Sequence, residues 1–235
     1  MESSPNVANI AALIADPARA AILNALLDGR AWTATELSIE AGVTPQTTSS
    51  HLARLLDGGM VAVTRQGRHR YYRLAGHRIA HVLETLAVVA GGNTEPRGSR
   101  RAEAAQLRDA RTCYDHLAGR LAVGLIRSMV GGGYLEATER DFTVSASGEA
   151  FLDRLGIDVA AARKARRAFA CQCLDWSERE PHLGGALGAA LATRMFDEGW
   201  LKRVPRMRRV TVTAAGEITL ETHFHISRYR DDAAA

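Results

Sequence analysis

Three groups of residues carry chemistry beyond packing. The first is a polar, helix-sized run, Thr44-Pro45-Gln46-Thr47-Thr48-Ser49-Ser50-His51-Leu52-Ala53-Arg54. With Thr48 and Leu52 turned inward, Thr44, Pro45, Gln46, Thr47, Ser49, Ser50 and Arg54 stay outside. Short polar side chains let a helix sink into a DNA major groove, where Gln pairs bidentately with adenine and hydroxyls reach phosphates or bases. His51, in the same run, suits helix packing or a phosphate contact better than metal ligation. The second group is a strip from Met60 to Arg78 with arginines at 65, 68, 70, 73 and 78, interleaved tyrosines and no acid. Arg65, Arg68, Arg70 and Tyr71 are its candidate contacts to a phosphate backbone or minor groove.

The third group is made of thiols and imidazoles. Cys113, Cys171 and Cys173 all lie beyond residue 100. Cys113 with His116, and Cys173 with Asp175 and His182, could assemble a thiolate–imidazole site suited to zinc, arsenite or a thiol oxidant. Cys171 joins the candidates less easily, because residues two apart on a helix point about 200° apart. Buried structural cysteines are the competing reading. Tyr114, Trp176 and Trp200 could line an apolar effector pocket, or simply pack a core. The expected cofactor is therefore a metal ion or none.

These groups need elements to hold them. Val7, Ile10, Leu13 and Ile14 make a short apolar face. Asp16-Pro17 then restarts the chain as N-cap and first helical residue, with Ile22, Leu23, Leu26 and Leu27 as the stripe and Gly29 as the stop. Thr33 and Glu36 have capping-box spacing for a helix ending near Gly42. Thr44-Pro45 opens the polar helix, and Gly58-Gly59 closes it. Residues 60–74 change to a β-rich pattern around Gly67, a hairpin. A last helix carries Ile79, Val82, Leu83, Leu86 and Val89, while His77, His81 and Glu84 read as surface residues. The helices at 33–52 have helix-turn-helix spacing, and the hairpin after them is a wing.

Gly91-Gly92-Asn93-Thr94-Glu95-Pro96-Arg97-Gly98-Ser99-Arg100 reads as a linker. It separates a winged helix-turn-helix module at 1–90 from a C-terminal domain at 101–235. The second half repeats some of the first module's grammar. Residues 52–76 lie on 192–216 at an offset of 140, and Gly133-Tyr134-Leu135 with Val144-Ser145-Ala146-Ser147-Gly148-Glu149 suggests a third copy. Either the C-terminal domain is built from winged-helix-like units, or small amphipathic patterns coincide. The fold class is mainly α with small β-hairpins, an α+β chain.

Bulk properties fit this organisation without deciding it. The 235 residues are 46% hydrophobic and 24% charged, with a net charge of +4. That is a mild lean toward polyanions. No apolar run has the length of a membrane span, and Met1-Glu2-Ser3-Ser4-Pro5 lacks a signal peptide's basic start. A cytoplasmic location is expected, where three thiols do not form a disulfide framework.

Several of these segments together resemble the ArsR-type winged-helix repressors. They are Asp16-Pro17-Ala18-Arg19-Ala20-Ala21-Ile22-Leu23, Thr35-Glu36-Leu37, Val43 to Leu52, Leu56-Asp57-Gly58-Gly59-Met60-Val61 and Gly67-Arg68-His69-Arg70-Tyr71-Tyr72. The resemblance covers about residues 8–90. It implies a homodimer on palindromic operator DNA, joined through the first and last helices, and repression relieved by an effector, often a metal. The arsenic-responsive pattern of third-helix cysteines is absent from Glu36-Leu37-Ser38-Ile39-Glu40. The zinc-responsive ligand spacing is absent from the last helix. Sensing is therefore expected in residues 101–235, by a thiol-based metal or redox site or by a small-molecule pocket. An enzyme fused to the winged-helix module is the alternative class. Gly184-Gly185-Ala186-Leu187-Gly188 is too slight for a nucleotide loop, and no Gly-x-Ser-x-Gly nucleophile motif occurs, so the chain reads as a non-enzyme.

Overall fold

The computed structural model describes residues 7–90, 105–205 and 207–227. They fall into two compact units that meet in sequence between Leu83 and Glu84. The expected boundary after residue 90 thus differs from this division, which lies inside a helix, His77–Ala90. The linker expected at 91–100 lies outside the described residues. No described helix is long and apolar enough to cross a membrane.

The first unit runs α1 (Val7–Ile14), α2 (Pro17–Leu26), β1 (Trp32–Thr33), α3 (Ala34–Ala41), α4 (Pro45–Asp57), β2 (Val61–Gln66), β3 (His69–Leu74) and α5 (His77–Ala90). Local chemistry sets these boundaries. Asp16 Oδ1 accepts the Arg19 N–H at 2.9 Å and caps α2. The buried Arg19 side chain then donates to the carbonyls of Leu13 and Ala12, both at 2.8 Å, satisfying the end of α1. Thr33 and Glu36 form a reciprocal capping box on α3, and Gly42 ends that helix at φ 65°. Thr44 Oγ1 accepts from the Thr47 N–H at 3.2 Å, so α4 starts at Pro45. Ile22, Leu26, Leu37, Leu52 and Leu55 are buried to within 1% and form the centre of the core. Truncating one of them to Ala would cost about 2–5 kcal/mol.

The wing is a three-stranded antiparallel sheet of order β1-β3-β2. Its long hairpin runs in register from Val61↔Leu74 to Gln66↔His69, turning at Gly67 with φ 59°. Strand β1 adds Trp32↔Tyr72 and Thr33↔Tyr71. Two residues are too few to show a period, so sequence alone does not reveal this strand. Trp32 is fixed by donating its indole N–H to buried Asp28 at 3.0 Å.

The second unit is built from small hairpins and helices. In order these are β4 (Arg111–Cys113), β5 (His116–Ala118), α6 (Arg120–Gly131), β6 (Leu135–Ala137), β7 (Phe142–Val144), α7 (Ala146–Arg154) and α8 (Val159–Lys164). Then come β8 (Gln172–Leu174), β9 (Pro181–Leu183), α9 (Gly185–Asp197), β10 (Leu201–Arg203), β11 (Val210–Val212) and α10 (Ala214–Phe224). The order helix, left-handed glycine, hairpin, helix occurs at α4–Gly59–β2–β3–α5, at α6–Gly133–β6–β7–α7 and at α9–Gly199–β10–β11–α10. Those glycines have φ of 66°, 70° and 68°. The repeated grammar in the sequence therefore corresponds to repeated element order. Within the second unit the repeat is longer, because α6 and α9 are each preceded by a further hairpin, β4–β5 and β8–β9.

Candidate DNA-reading surface and thiolate–imidazole cluster

Helix α4 presents the face that its sequence pattern requires. Thr44, Pro45, Gln46, Thr47, Ser49, Ser50 and Arg54 are exposed, while Thr48, Leu52 and Leu55 are buried. Thr48 Oγ1 donates back to the Thr44 carbonyl at 3.0 Å, so its hydroxyl is satisfied inside the unit. His51 is set apart from its exposed neighbours. Its side chain is mostly buried and Nε2 lies 3.9 Å from Asp16 Oδ1, which makes it a packing residue between α4 and the start of α2.

Arg65, Arg68 and Arg70 are exposed on the wing, and Tyr71 is half-buried. Arg65 and Arg70 are direct cross-strand partners. Like charges facing each other across a hairpin are unfavourable without a counter-charge. Arg68 sits at the tip, with Nε 3.4 Å from His69 Nε2. His77 and His81 are exposed, but Glu84 is not the surface residue expected. It is buried and ion-paired with Arg208, which also donates to the Thr112 carbonyl at 3.1 Å. The partner 124 residues away leaves no trace in the local pattern that marked Glu84 as exposed.

The second unit gathers four of the sequence's candidate ligands. One donor atom each from Cys113, His116, Cys173 and His182 lies within 4.8 Å of the others, and all four residues are buried. Two hairpins position them. Cys113 is the cross-strand partner of His116 on β4–β5, and Cys173 of His182 on β8–β9. Each hairpin thus contributes one thiol and one imidazole. The Sγ atoms of Cys113 and Cys173 are 3.9 Å apart, and the two imidazole centroids 5.2 Å. The hairpin turns hold Tyr114 and Arg179 at φ 60° and 58°, a region that non-glycine residues enter only when their surroundings dictate it.

Carboxylates back both imidazoles. His116 Nδ1 lies 3.3 Å from Asp115 Oδ1, and His182 Nδ1 lies 3.3 Å from Asp175 Oδ2. Each Nε2 is buried with no hydrogen-bond partner, and the His182 Nδ1 contact is a close ion-pair distance rather than an aligned hydrogen bond. Asp175 is the hub of a wider network. It accepts from the Arg111 guanidinium at 2.9 Å, the Gly119 N–H at 2.6 Å and the Ser177 hydroxyl at 2.7 Å. Burial alone would raise its pKa, but His182, Arg111 and Gly119 hold the carboxyl well below the usual range. Asp115 is likewise brought down to about 2, its burial outweighed by His116 and by the ion pair with Arg167. The Cys113 thiol is pushed up to about 12 by its hydrogen bond with Cys173 and by burial.

Cys171 departs from the expectation. It is half-buried and outside the set of four. Cys171-Gln172-Cys173 is not helical: Gln172 and Cys173 belong to β8, and Cys171 bridges to Asp141. The three candidate pocket aromatics have separate settings. Tyr114 occupies the β4–β5 turn. Trp176 lies under the Arg111 guanidinium at 4.6 Å from its ring centroid. Trp200 packs on the unit's main apolar core. Sequence reasoning missed Arg111, a fully buried cation whose partner is 64 residues distant.

Comparison with known proteins agrees with the first unit's geometry. A helix-turn-helix domain model matches residues 14–64. The uncharacterized HTH-type transcriptional regulator YdfF of Bacillus subtilis is 44% identical over 223 residues, covering 95% of this chain and 99% of that protein. The HTH-type transcriptional regulator CmtR of Mycobacterium tuberculosis is 37% identical over 83 residues, 35% of this chain and 70% of that protein. Among solved structures, the cadmium sensor CmtR of M. tuberculosis has a TM-score of 0.31 at 35% identity, covering 39% of this chain and 95% of that one. The homodimeric winged helix-turn-helix domain Mb0332 of Mycobacterium bovis has a TM-score of 0.36 at 28% identity, covering 42% and 96%. The chain belongs to the HTH-type transcriptional regulators, with a DNA-binding module of the ArsR type.

Proposed function

We propose that the chain is a homodimeric repressor that holds an inverted-repeat operator until an effector acts on its second unit. Helix α4 reads the major groove, with Gln46 as the principal base contact and Thr44, Thr47, Ser49, Ser50 and Arg54 on bases and phosphates. The wing arginines track the adjacent backbone. The observation that carries this reading is the pairing of an exposed polar α4 with an exposed, acid-free wing on which Arg65 faces Arg70. Such a strip is electrostatically complementary to a polyanion. Exposed apolar residues support a dimer: Val7 and Ile10 on α1, and Val82, Leu86 and Val89 on α5. Work on chromosomal DNA implies a cytoplasmic protein and a regulator rather than an enzyme.

Selection from a random duplex pool with the full chain tests the reading. It should enrich an inverted repeat with half-sites about one helical turn, roughly 34–36 Å, apart or a multiple of that. In a purified transcription assay, placing that sequence over a promoter should lower output when the protein is added. No enriched sequence, or an asymmetric single site, would overturn the dimeric reader. A rise in output would overturn repression.

A further inference from the structure

We propose that Cys113, His116, Cys173 and His182 bind one zinc ion in a closed tetrahedral site that staples the two hairpins of the second unit together. The proposal is independent of the DNA-reading surface, since all four residues belong to the second unit.

The distances fit the ion. Zinc takes Cys sulfur at about 2.3 Å and His nitrogen at about 2.0–2.1 Å, so two thiolates of a tetrahedral site sit about 3.8 Å apart. Here they are 3.9 Å apart, and all four donors fall within 4.8 Å. The other donor pairs of a tetrahedral site lie about 3.3–3.6 Å apart, so closing around an ion draws the widest pair in by about 1–1.5 Å, shared between two side chains. A disulfide between the same sulfurs needs about 2.05 Å, and it would leave both imidazole Nε2 atoms without partners. Two thiolates with two imidazoles are a zinc donor set, softer than calcium or magnesium accept.

The buried polar atoms give a second, independent reason. His116 is 8% exposed and His182 fully buried, and neither Nε2 has a hydrogen-bond partner. A buried polar atom left unsatisfied costs about 1–3 kcal/mol. Coordination would satisfy both. Asp115 hydrogen-bonds His116 Nδ1, and Asp175 Oδ2 lies 3.3 Å from His182 Nδ1, which favours the tautomer whose Nε2 carries the free lone pair, the usual outer support of zinc-bound histidine. Charge also closes. Binding releases a proton from each thiol, and Zn²⁺ with two thiolates and two neutral imidazoles is neutral overall. Asp175 is balanced by Arg111, and Asp115 by Arg167.

Four protein ligands leave no open position for a water or a substrate, so the site is structural in kind. It joins hairpins whose cysteines are 60 residues apart, and ion binding therefore adds to the folding free energy of this unit.

Elemental analysis of the full chain after expression and gel filtration should find one zinc per chain. Cobalt added to chelator-stripped protein should give the intense visible bands of a tetrahedral site together with thiolate charge transfer. Cys173→Ser and His182→Ala should lose the stoichiometric ion, while Cys171→Ser retains it. If the loss variants fail to fold, the cobalt spectrum of the intact chain decides alone. The proposal falls if stripped wild type gives only the pale spectrum of hydrated cobalt. It falls equally if Cys171→Ser abolishes binding as Cys173→Ser does, or if the purified chain is metal-free with Cys113 and Cys173 disulfide-bonded. Operator affinity measured in parallel reports on the wing and α4, so failure of either reading remains distinct.

Discussion

Arg65 and Arg70 stand directly opposite each other on the two strands of the wing, both exposed. In free protein this pair costs a few tenths of a kcal/mol, up to about 1. With the wing on DNA as proposed, the same closeness would become favourable, because two guanidinium groups would meet one phosphate run. Arg65→Ala or Arg70→Ala should therefore leave stability unchanged or slightly raised while weakening binding to every duplex. The slope of log affinity against log salt should fall by about one unit for each phosphate contact removed. Fluorescence anisotropy on operator and scrambled duplexes across a salt series checks both. An unchanged slope would remove the wing from the DNA interface.

Gln46 should behave differently, because it is exposed in the first turn of α4 and offers a bidentate amide. Gln46→Ala should cost about 1–3 kcal/mol on the operator and almost nothing on scrambled DNA. Competition with duplexes altered one base pair at a time should show relaxed preference at a single position per half-site. Equal losses on specific and scrambled DNA would make it a backbone contact instead.

Leu86 is 44% exposed on α5, between Val82 at 41% and Val89 at 77%. Large apolar groups in such a row are a signature of a covered face. Leu86→Glu should shift light-scattering mass from two chains to one at micromolar concentration, and operator binding should fall with it. A wild-type mass of one chain, with tight operator binding intact, would refute the dimer.

The first unit was largely legible in the sequence because its signals are local. A cap and its partner are three residues apart at Asp16–Arg19, Thr33–Glu36 and Thr44–Thr47. Apolar periodicity and the Gly67 turn supply the rest. The second unit was legible only in part. The ligand types at 113, 116, 173 and 182 could be proposed from chemistry, but their convergence depends on hairpin registers that no short window contains. Arg111 and Glu84 were missed for the same reason, since each finds its charge partner across a long stretch of chain. Cys171 falls outside the set because its backbone pairs with Asp141, while the β8–β9 register brings Cys173, not Cys171, to His182.

The Arg111–Asp175 pair, both fully buried, should be unforgiving of one-sided change. Arg111→Met removes the cation and leaves Asp175 with His182, the Ser177 hydroxyl and backbone donors. Breaking a buried pair from one side costs about 3–5 kcal/mol. The urea midpoint of the full chain's second-unit transition should drop accordingly, with the first unit's transition unmoved. A change below about 1 kcal/mol would mean that water or His182 already compensates the carboxylate, as at exposed pairs.

Gly148 and Gly216 give the sharpest test of the internal repeat. The sequence places them alike, in Val144-Ser145-Ala146-Ser147-Gly148-Glu149 and Val212-Thr213-Ala214-Ala215-Gly216-Glu217. In the structure each donates its N–H to the hydroxyl that caps its helix, Gly148 to Ser145 at 3.0 Å and Gly216 to Thr213 at 3.1 Å. A Cβ on either would stand 2.0 Å from a carbonyl oxygen, of Tyr134 in one case and Trp200 in the other. Those carbonyls follow the left-handed Gly133 and Gly199, and they are backbone atoms rather than the far end of a flexible side chain, so relieving the clash is costly. Gly148→Ala and Gly216→Ala should therefore each destabilise the second unit by an overpacking cost of about 1–3 kcal/mol or more. The two losses should be alike, because the clash is the same at both sites. Thermal melts of both variants, with Gly131→Ala as a control whose Cβ meets nothing within 4 Å, would show it. If one variant is tolerated and the other is not, the two halves have diverged in packing, and the shared element order is all that remains of the repeat.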